Sequence, residues 1–320
     1  MPAIYYQECS YTNADNESVL DTLLRHNVAI PYGCRAGACQ ACTLQADIKL
    51  IPEDCQQGLS AEQIRQGYFL ACRCIPDQDM QLQQVDLQAQ KIPATVSESF
   101  LLDEHTLCLR LNCRLRWRAG QYITLWINNT ARCYSIASVA RLDPFIELHI
   151  RVYPNGALSK PLSDTVKVGD RLQLQGPLGR FVYQQDQPEQ KLLLIGAGTG
   201  IAPLIGIARD AIDHQHTANI HLLAAAKTGT NYAEQSLTAL QNSVTTFSYQ
   251  TSDIDNIETI LSTEFSNLRG QKIFICGGNE FVTSIRKKCF MLGASPRNII
   301  SEEFINFASK AGLDSPDTDL

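Results

Sequence analysis

Four cysteines constrain the fold of this chain more than any other feature, because they have the spacing of ligands to a metal cluster. They are Cys34, Cys39, Cys42 and Cys72. The first three follow the pattern C-x4-C-x2-C and the fourth lies far downstream, which is the ligand spacing of one class of 2Fe-2S cluster. Gly33 and Gly37 allow the loop to fold closely and to present backbone amides to the sulfurs. The sequence therefore predicts a loop wrapped around a 2Fe-2S cluster.

A zinc site and a chance spacing are the alternatives to this cluster. Zinc sites usually take two C-x2-C pairs, and the sequence has one. Cys74 is excluded as a ligand, because it stands two residues past Cys72 and would face the other side of an extended segment. Five scattered cysteines are interpreted as small buried hydrophobic residues: Cys9, Cys55, Cys108, Cys113 and Cys289.

The composition is that of a folded protein with two or three domains. The 320 residues are 44% hydrophobic and 19% charged, and a single core rarely grows beyond about 250–300 residues. No stretch reaches the roughly 18 apolar residues of a membrane span. Residues 1–8 lack the regions of a signal peptide, so we expect a cytoplasmic protein without membrane attachment. In that reducing compartment, twelve cysteines favour metal ligation or redox chemistry over disulfides.

Charge is distributed unevenly along the chain. Residues 1–90 contain five Lys or Arg and eleven Asp or Glu, which accounts for the whole net charge of −6. An acidic surface disfavours nucleic-acid binding and would steer a basic protein partner toward the chain. An ordinary solubilising surface explains the same charge equally well.

The pattern of apolar residues divides the chain into three segments and a loose tail, with expected bounds at 1–90, 91–186, 187–308 and 309–320. In the first segment, helical spacing begins at Val19 with Asn16 as its expected N-cap. Ser60 and Gln63 have the spacing of a capping box that opens a second helix. A strand is expected at 80–85.

The second and third segments differ in the periodicity of their apolar residues. The second contains short β patterns separated by turn residues, which is typical of an antiparallel barrel; the patterns lie at 106–111, 122–127, 145–152 and 171–174. The third alternates strands with helices, which predicts a parallel sheet covered on both faces. Its strands are expected at 192–195, 220–226, 244–249 and 272–276, and its helices at 203–214, 232–240 and 280–292.

A flavin site is suggested by the tetrapeptide Arg132-Cys133-Tyr134-Ser135 in the barrel segment. Alternation along a strand puts Arg132 and Tyr134 on one face, where the ring would stack on an isoalloxazine and the guanidinium would pair with a phosphate. Ser135 would donate to the flavin nitrogen that receives hydride. Downstream, residues 155–159 predict a turn into a helix whose free amides suit a pyrophosphate.

A nicotinamide site is suggested by a glycine-rich loop between a strand and a helix, Gly196-Ala197-Gly198-Thr199-Gly200. Its glycines permit close approach of a pyrophosphate to the helix N-terminus. The loop is not the G-x-G-x-x-G fingerprint, because position 201 is Ile. Cys276 and Gly277 end a later strand, at the edge of a parallel sheet where ligands bind.

These motifs resemble known families over nearly the whole chain. Residues 1–90, with the cysteine loop and the run Phe69-Leu70-Ala71-Cys72, resemble plant-type ferredoxins. Residues 95–305 resemble the ferredoxin-NADP reductase superfamily, which also has the turn Gly176-Pro177-Leu178-Gly179. The order of the three modules resembles that in the reductase components of bacterial multicomponent oxygenases. Among these, the sequence is similar to toluene and phenol monooxygenase reductases. The resemblance implies a multidomain α+β and α/β protein: a β-grasp ferredoxin domain, an antiparallel β-barrel FAD domain and a parallel-sheet nicotinamide domain.

The resemblance also implies roles for individual residues. Ser135, Cys276 and Glu303 would be catalytic, and Phe304 or Phe307 would flank the flavin. The remaining cofactor contacts would be Arg132, Tyr134, Arg151, Gly156, Ala157, Leu158, Ser159, Gly196, Gly198, Thr199, Gly200 and Gly277.

The implied activity is electron transfer from NADH through FAD to the 2Fe-2S cluster and on to an oxygenase component, in a monomer. NADPH remains open as donor, because no carboxylate follows Lys227 to hold a ribose hydroxyl. A deoxysugar dehydratase system is an alternative acceptor, and a non-catalytic redox sensor is an alternative function. A quinone-reducing sodium pump subunit is disfavoured, because that protein carries an N-terminal membrane helix.

Overall fold

A computed structural model describes residues 1–128, 130–227 and 231–304. The chain divides into two compact units. The first unit comprises Met1–Pro93, Ile123–Cys133 and Leu172–Leu178, and the second comprises Ala94–Tyr122, Tyr134–Arg171 and the chain from Gly179 onward. The expected tail at 309–320 lies outside the described residues, as does Phe307.

The described residues form seventeen strands and seven α-helices. The strands are β1 (Ala3–Tyr6), β2 (Cys9–Thr12), β3 (Thr43–Gln45), β4 (Tyr68–Leu70), β5 (Met80–Gln81), β6 (Gln83–Gln84), β7 (Ile92–Asp103), β8 (Thr106–Cys113), β9 (Tyr122–Ile127), β10 (Thr130–Ser135), β11 (Ile146–Arg151), β12 (Arg171–Leu178), β13 (Leu192–Ala197), β14 (Ile220–Ala226), β15 (Phe247–Asp253), β16 (Lys272–Gly278) and β17 (Ile299–Phe304). The helices are α1 (Val19–Arg25), α2 (Ala61–Arg65), α3 (Ser159–Asp164), α4 (Ile201–Asp213), α5 (Glu234–Ser243), α6 (Ile257–Glu264) and α7 (Asn279–Met291).

The first unit contains two small three-stranded sheets, with strand orders β2-β1-β5 and β4-β3-β6. Strand β1 pairs antiparallel with β2 and parallel with β5. Strands β10, β9 and β12 lie side by side in that order. The apolar face of α1 is buried with Ile4, Phe69 and Met80 in one core, because its apolar residues recur at helical spacing.

Helix starts in this unit agree with the sequence in one case and differ in the other. The capping box at Ser60 is present, with both of its reciprocal bonds to Gln63. Helix α1 is capped by Ser18, whose side chain accepts from the amide of Asp21, and not by Asn16 as predicted. Asn16 instead has a φ of 59° in the turn before the helix. The expected strand at 80–85 is broken at Leu82 into β5 and β6, which join different sheets.

In the second unit, β7, β8 and β11 form antiparallel pairs. Residues Ile146 to Arg151 of β11 lie opposite Leu111 to Thr106 of β8, so their apolar side chains alternate into the core. The twelve-residue strand β7 was not among the predicted strands. Its pairing with β8 has two register shifts, which break the strict alternation that sequence patterns depend on.

The second unit also contains the predicted parallel sheet, with strand order β15-β14-β13-β16-β17. Alternate residues of β13 point to opposite faces: Leu194 packs with α4 and α5, while Leu193 and Ile195 pack with α6 and α7. The strand is hydrophobic throughout because both of its faces are covered. The alternation of strands and helices is confirmed, although α6 was not predicted. None of the described helices is long and apolar enough to cross a membrane.

Candidate functional site

The four predicted cluster cysteines lie together in the first unit as two pairs of thiols. In the first pair, Cys34 Sγ accepts from the amides of Ala36, Ala38 and Cys39 at 3.5, 3.1 and 3.2 Å. The amide of Cys34 returns a bond to Cys39 Sγ at 3.3 Å. A loop that aims this many amides at sulfur is suited to hold thiolates.

Within each pair, the pKa of one thiol is lowered and the pKa of the other is raised. The bond from the Cys39 thiol and the three backbone amides lower the pKa of Cys34 to about 6. The bond to the Cys34 thiol, together with burial, raises the pKa of Cys39. In the second pair, the bond between the two thiols lowers the pKa of Cys72 and raises that of Cys42.

This donor set fits a 2Fe-2S cluster. Each iron of such a cluster takes two protein ligands, and the thiols form two pairs. The cluster would be held by Cys34 and Cys39 on one side and by Cys42 and Cys72 on the other. The amides that donate to Cys34 would favour the negative charge of a cluster.

Cys74 lies in the apolar core of the same unit, fully buried, as does Cys55. The side chains of these two cysteines hydrogen-bond to each other. Cys74 is thus turned into the core, which agrees with its exclusion from the ligand set.

Strand β10 carries the predicted flavin tetrapeptide. The Arg132 guanidinium donates to the carbonyl of Ala131 at 2.9 Å, and both Arg132 and Tyr134 are partly exposed. Ser135 is 8% exposed, and its hydroxyl donates to Glu302 Oε1 at 2.5 Å. Strand β10 therefore ends with a hydroxyl fixed by a carboxylate from β17.

The glutamate that Ser135 contacts is Glu302, the neighbour of the predicted Glu303. Burial raises the pKa of Glu302 to about 7, while the bond from Ser135 opposes the rise. Glu302 lies opposite Cys276 in the β16–β17 pairing. Burial is the main cause that raises the pKa of the Cys276 thiol, and the charge of Glu302 raises it further. Glu303 is exposed and accepts from Asn279 Nδ2 at 2.6 Å. The structure therefore brings Ser135, Cys276 and Glu302 together, and leaves Glu303 outside that group.

The glycine-rich loop meets the end of β16 at the carboxyl edge of the parallel sheet. Gly196 pairs with Cys276, because β13 and β16 are neighbours. A Cβ at Gly200 would lie 2.4 Å from the carbonyl oxygen of Cys276, so only glycine permits this approach. Gly198 is exposed with open space beside it, just before the N-terminus of α4. The loop therefore offers amides at a helix N-terminus, which suits a pyrophosphate.

The turn at residues 153–159 closes tightly before α3. Tyr153 donates from its amide to Ser159 Oγ at 3.2 Å, and the Gly156 amide donates to the Tyr153 carbonyl at 3.0 Å. Leu158 and Ser159 are buried, while Arg151 and Ala157 are exposed. A phosphate group could therefore reach the exposed residues of this turn. Phe304 at the end of β17 is partly buried against the core of the parallel sheet.

A second group of possible metal ligands, Cys108, Glu147 and His149, has ligand atoms within 4.8 Å of one another. Arg110 Nε already donates to Glu147 Oε2 at 2.7 Å, and His149 Nε2 lies 3.1 Å from Glu147 Oε1. Both carboxylate oxygens are occupied, so the group is explained as a hydrogen-bonded cluster between β8 and β11.

Comparison with known proteins assigns three domains along the chain. Residues 4–77 match a 2Fe-2S iron-sulfur cluster binding domain. Residues 94–183 match an oxidoreductase FAD-binding domain, and residues 194–287 match an oxidoreductase NAD-binding domain. The chain thus combines an N-terminal 2Fe-2S cluster binding domain with FAD-binding and NAD-binding oxidoreductase domains. The predicted fold class and the three cofactors, FAD, a 2Fe-2S cluster and a nicotinamide nucleotide, are confirmed.

Relatives of this reductase include the reductase subunit of an aromatic O-demethylase from Amycolatopsis sp., 35% identical over 214 residues, 61% of this chain and 63% of that protein. The electron transfer component of toluate 1,2-dioxygenase from Pseudomonas putida is 27% identical over 313 residues, 90% of this chain and 92% of that component. The crystal structure of the Amycolatopsis cytochrome P450 reductase GcoB is similar over 95% of this chain and 99% of its own, with 26% identity and a TM-score of 0.64.

Proposed function

We propose that this reductase moves electrons from NADH through FAD to its own 2Fe-2S cluster and delivers them to an oxygenase component. The observation that carries the proposal is the contact between Ser135 at the end of β10 and Glu302, whose neighbour across the sheet is Cys276. This contact places a hydroxyl, a titratable carboxyl and a thiol where the flavin strand meets the nicotinamide sheet. The paired thiols of the first unit supply the one-electron centre.

When bound, the three cofactors would supply hydride chemistry at the nicotinamide, both two-electron and one-electron chemistry at FAD, and one-electron chemistry at the cluster. The chain binds and orients these groups. The loop from Gly196 to Gly200 would hold the nicotinamide pyrophosphate, and the turn from Gly156 to Ser159 would hold that of FAD. Arg132 and Arg151 would pair with FAD phosphates, and Tyr134 would stack on the flavin ring.

The Ser135 hydroxyl donates to Glu302 Oε1 at 2.5 Å. In the neutral form of Glu302, the carboxyl can donate as well as accept, so the pair can hold a proton beside the flavin. Cys276 would position the nicotinamide ring. We assign the carboxylate role to Glu302 in place of Glu303, because Glu303 is exposed and bonded to Asn279.

The oxygenase acceptor is supported by relatives whose names describe reductase or electron transfer parts of an aromatic O-demethylase and of toluate 1,2-dioxygenase. We further propose a cytoplasmic monomer with domain bounds at 1–90, 91–186 and 187–308 and a flexible tail beyond. NADH is proposed as donor over NADPH, because reductases fused to an N-terminal ferredoxin mostly use NADH.

The test is an anaerobic titration of purified protein with NADH and, separately, with NADPH, followed by absorption. NADH is expected to bleach the flavin and then the cluster at lower concentration than NADPH does. A protein whose flavin is not reduced by either nucleotide would refute the proposal and favour a redox sensor.

The acceptor is tested by adding candidate oxygenase and deoxysugar dehydratase components to the reduced protein. Faster reoxidation of the cluster by an oxygenase component is expected. Reoxidation by the dehydratase component alone would move the protein to that alternative.

A further inference from the structure

The loop that carries three of the cluster cysteines lies against two strands of the same unit. Thr124 on β9 donates from its hydroxyl to the carbonyl oxygen of Cys39, at 3.0 Å and away from solvent. A Cβ at Gly33 would lie 2.5 Å from the carbonyl oxygen of Ala131 on β10, so the loop backbone touches that strand directly. The position of the cluster loop is therefore tied to β9 and β10.

Cys133 on β10 extends this contact into a chain of hydrogen bonds. Its thiol lies 3.8 Å from the hydroxyl oxygen of Thr124. Because the single hydroxyl proton of Thr124 is used on the Cys39 carbonyl, the oxygen acts as acceptor and the Cys133 thiol as donor. The chain thus runs from Cys133 through Thr124 to the peptide group that follows a cluster ligand.

That peptide group leads into a strained residue. Gln40 has a φ of 55°, a region that residues other than glycine rarely adopt. Its carbonyl accepts from Thr43 Oγ1 at 2.6 Å, and its side-chain amide donates to the carbonyl of Gly58 at 2.8 Å. Strain of this kind persists only where the surroundings fix it, and the bond from Thr124 is the contact that fixes the preceding carbonyl.

Strand β10 presents alternate residues to its two faces. The Cys133 thiol faces Thr124, so alternation puts Arg132 and Tyr134 on the opposite face, where the proposed function places the stacked flavin ring.

We propose that Thr124 and Cys133 are positioning residues for the cluster, whose hydrogen-bond chain fixes the Cys39–Gln40 peptide against β9 and β10. Backbone amides that donate to cluster sulfurs stabilise the more negative, reduced cluster. The amides of Ala36, Ala38 and Cys39, which donate to Cys34 Sγ, lie in the loop that leads into this peptide. A loop that is no longer fixed at this peptide holds those amides less well, which lowers the reduction potential of the cluster. The same loosening slows the transfer of electrons from FAD to the cluster. The second consequence rests on the proposed function, and the first does not.

The experiment compares Thr124→Val, Thr124→Ser and Cys133→Ala in the full-length holoprotein. The matched control is Thr165→Val, which removes a hydroxyl that donates to the carbonyl of Pro161 at 2.7 Å. Cluster potentials are measured by dithionite titration followed by electron paramagnetic resonance, which needs neither NADH nor flavin turnover. Stopped-flow absorption then separates flavin reduction by NADH from reduction of the cluster.

Thr124→Val is expected to shift the potential to more negative values, by an amount equal to about a fivefold change in the equilibrium for cluster reduction, as for one lost hydrogen bond. Cys133→Ala is expected to shift it in the same direction by less. Thr124→Ser and Thr165→Val should keep the wild-type potential, and flavin reduction by NADH should be unchanged in all four variants.

An unchanged potential in an iron-replete Thr124→Val protein would overturn the proposal. If that variant fails to retain iron, the pair Cys133→Ala and Thr124→Ser decides: a wild-type potential in Cys133→Ala overturns it, and a shift there with a normal Thr124→Ser supports it. Because dithionite supplies the electrons in this measurement, the cluster potential can be determined even if NADH does not reduce the protein. Failure of the proposed function is therefore distinguishable from failure of this proposal.

Discussion

At the scale of single residues, the two adjacent glutamates of β17 are predicted to differ sharply in function. Glu302 accepts from Ser135, whereas Glu303 accepts from exposed Asn279. Replacing Glu302 by Gln leaves an acceptor for the Ser135 hydroxyl but removes the titratable carboxyl, so hydride transfer from NADH should slow at least about tenfold. Glu303→Gln is the matched control and should stay within about twofold of wild type. Stopped-flow flavin bleaching measures both, and equal rates would contradict the assignment.

The same carboxyl makes stability depend on pH. Burial raises the pKa of Glu302 to about 7, so the native state holds this proton more tightly than the unfolded chain. Its contribution is therefore fully present below the unfolded pKa of about 4.3 and is lost as pH rises through 7. Relative to Glu302→Gln, wild type should lose up to about 3 kcal/mol between pH 4.5 and 8. Parallel melting temperatures of the two proteins over that range would contradict the shifted pKa.

Two cysteines that stand two residues apart in the sequence provide a further residue-scale prediction. Cys72→Ser should abolish the cluster, because a hydroxyl does not replace the fourth thiolate. Cys74→Ser should keep the cluster and lose about 1 kcal/mol, because it places a hydroxyl in an apolar core beside Cys55. Visible absorption, electron paramagnetic resonance and iron content distinguish the two. Loss of the cluster in Cys74→Ser at wild-type stability would overturn this division of roles.

These residues also show what the sequence can and cannot supply. The proximity of the four cysteines could be predicted because three of them share one loop, so spacing along the chain reflects spacing in the fold. Glu302 could not be separated from Glu303, because the choice depends on the register between β16 and β17 and on a contact with Ser135 that is 167 residues distant. Cys74 is buried in the core, although residues 71–73 form a turn and not the extended segment on which its exclusion was based.

At the scale of elements, the contact between the glycine-rich loop and β16 gives a test of the nicotinamide site. Gly200→Ala would place a Cβ 2.4 Å from the carbonyl of Cys276, which forces the two backbones apart. We expect a loss of about 1–3 kcal/mol in stability and a raised KM for NADH, with FAD and cluster absorption retained. Gly278→Ala is the control, since its φ is −64° and its Cβ meets open space. An unchanged KM in Gly200→Ala would place nicotinamide binding elsewhere.

Prediction of the elements succeeded where the pattern was long and periodic. The alternating strands and helices of the parallel sheet were predicted because buried strands such as β13 are hydrophobic throughout and helices such as α4 have a broad apolar face. The N-cap of α1 was misassigned by two residues because Asn16 and Ser18 both have capping side chains, and only the backbone decides between them. Strand β7 was not predicted, because its register shifts break the two-residue alternation of apolar side chains by which a strand is identified in a sequence.

At the scale of the whole molecule, charge separates the ferredoxin end from the rest. Residues 1–90 hold the entire net charge of −6, and the described cluster cysteines belong to that part of the chain. Reduction of a cationic acceptor such as cytochrome c should therefore slow as salt rises from about 10 mM to 300 mM, because the Debye length falls from about 30 Å to below 8 Å. Reduction of anionic ferricyanide should accelerate over the same range, while flavin reduction by NADH in the same samples serves as the control. If both acceptors respond alike, the acidic surface does not steer partners to the cluster, and it is an ordinary solubilising surface.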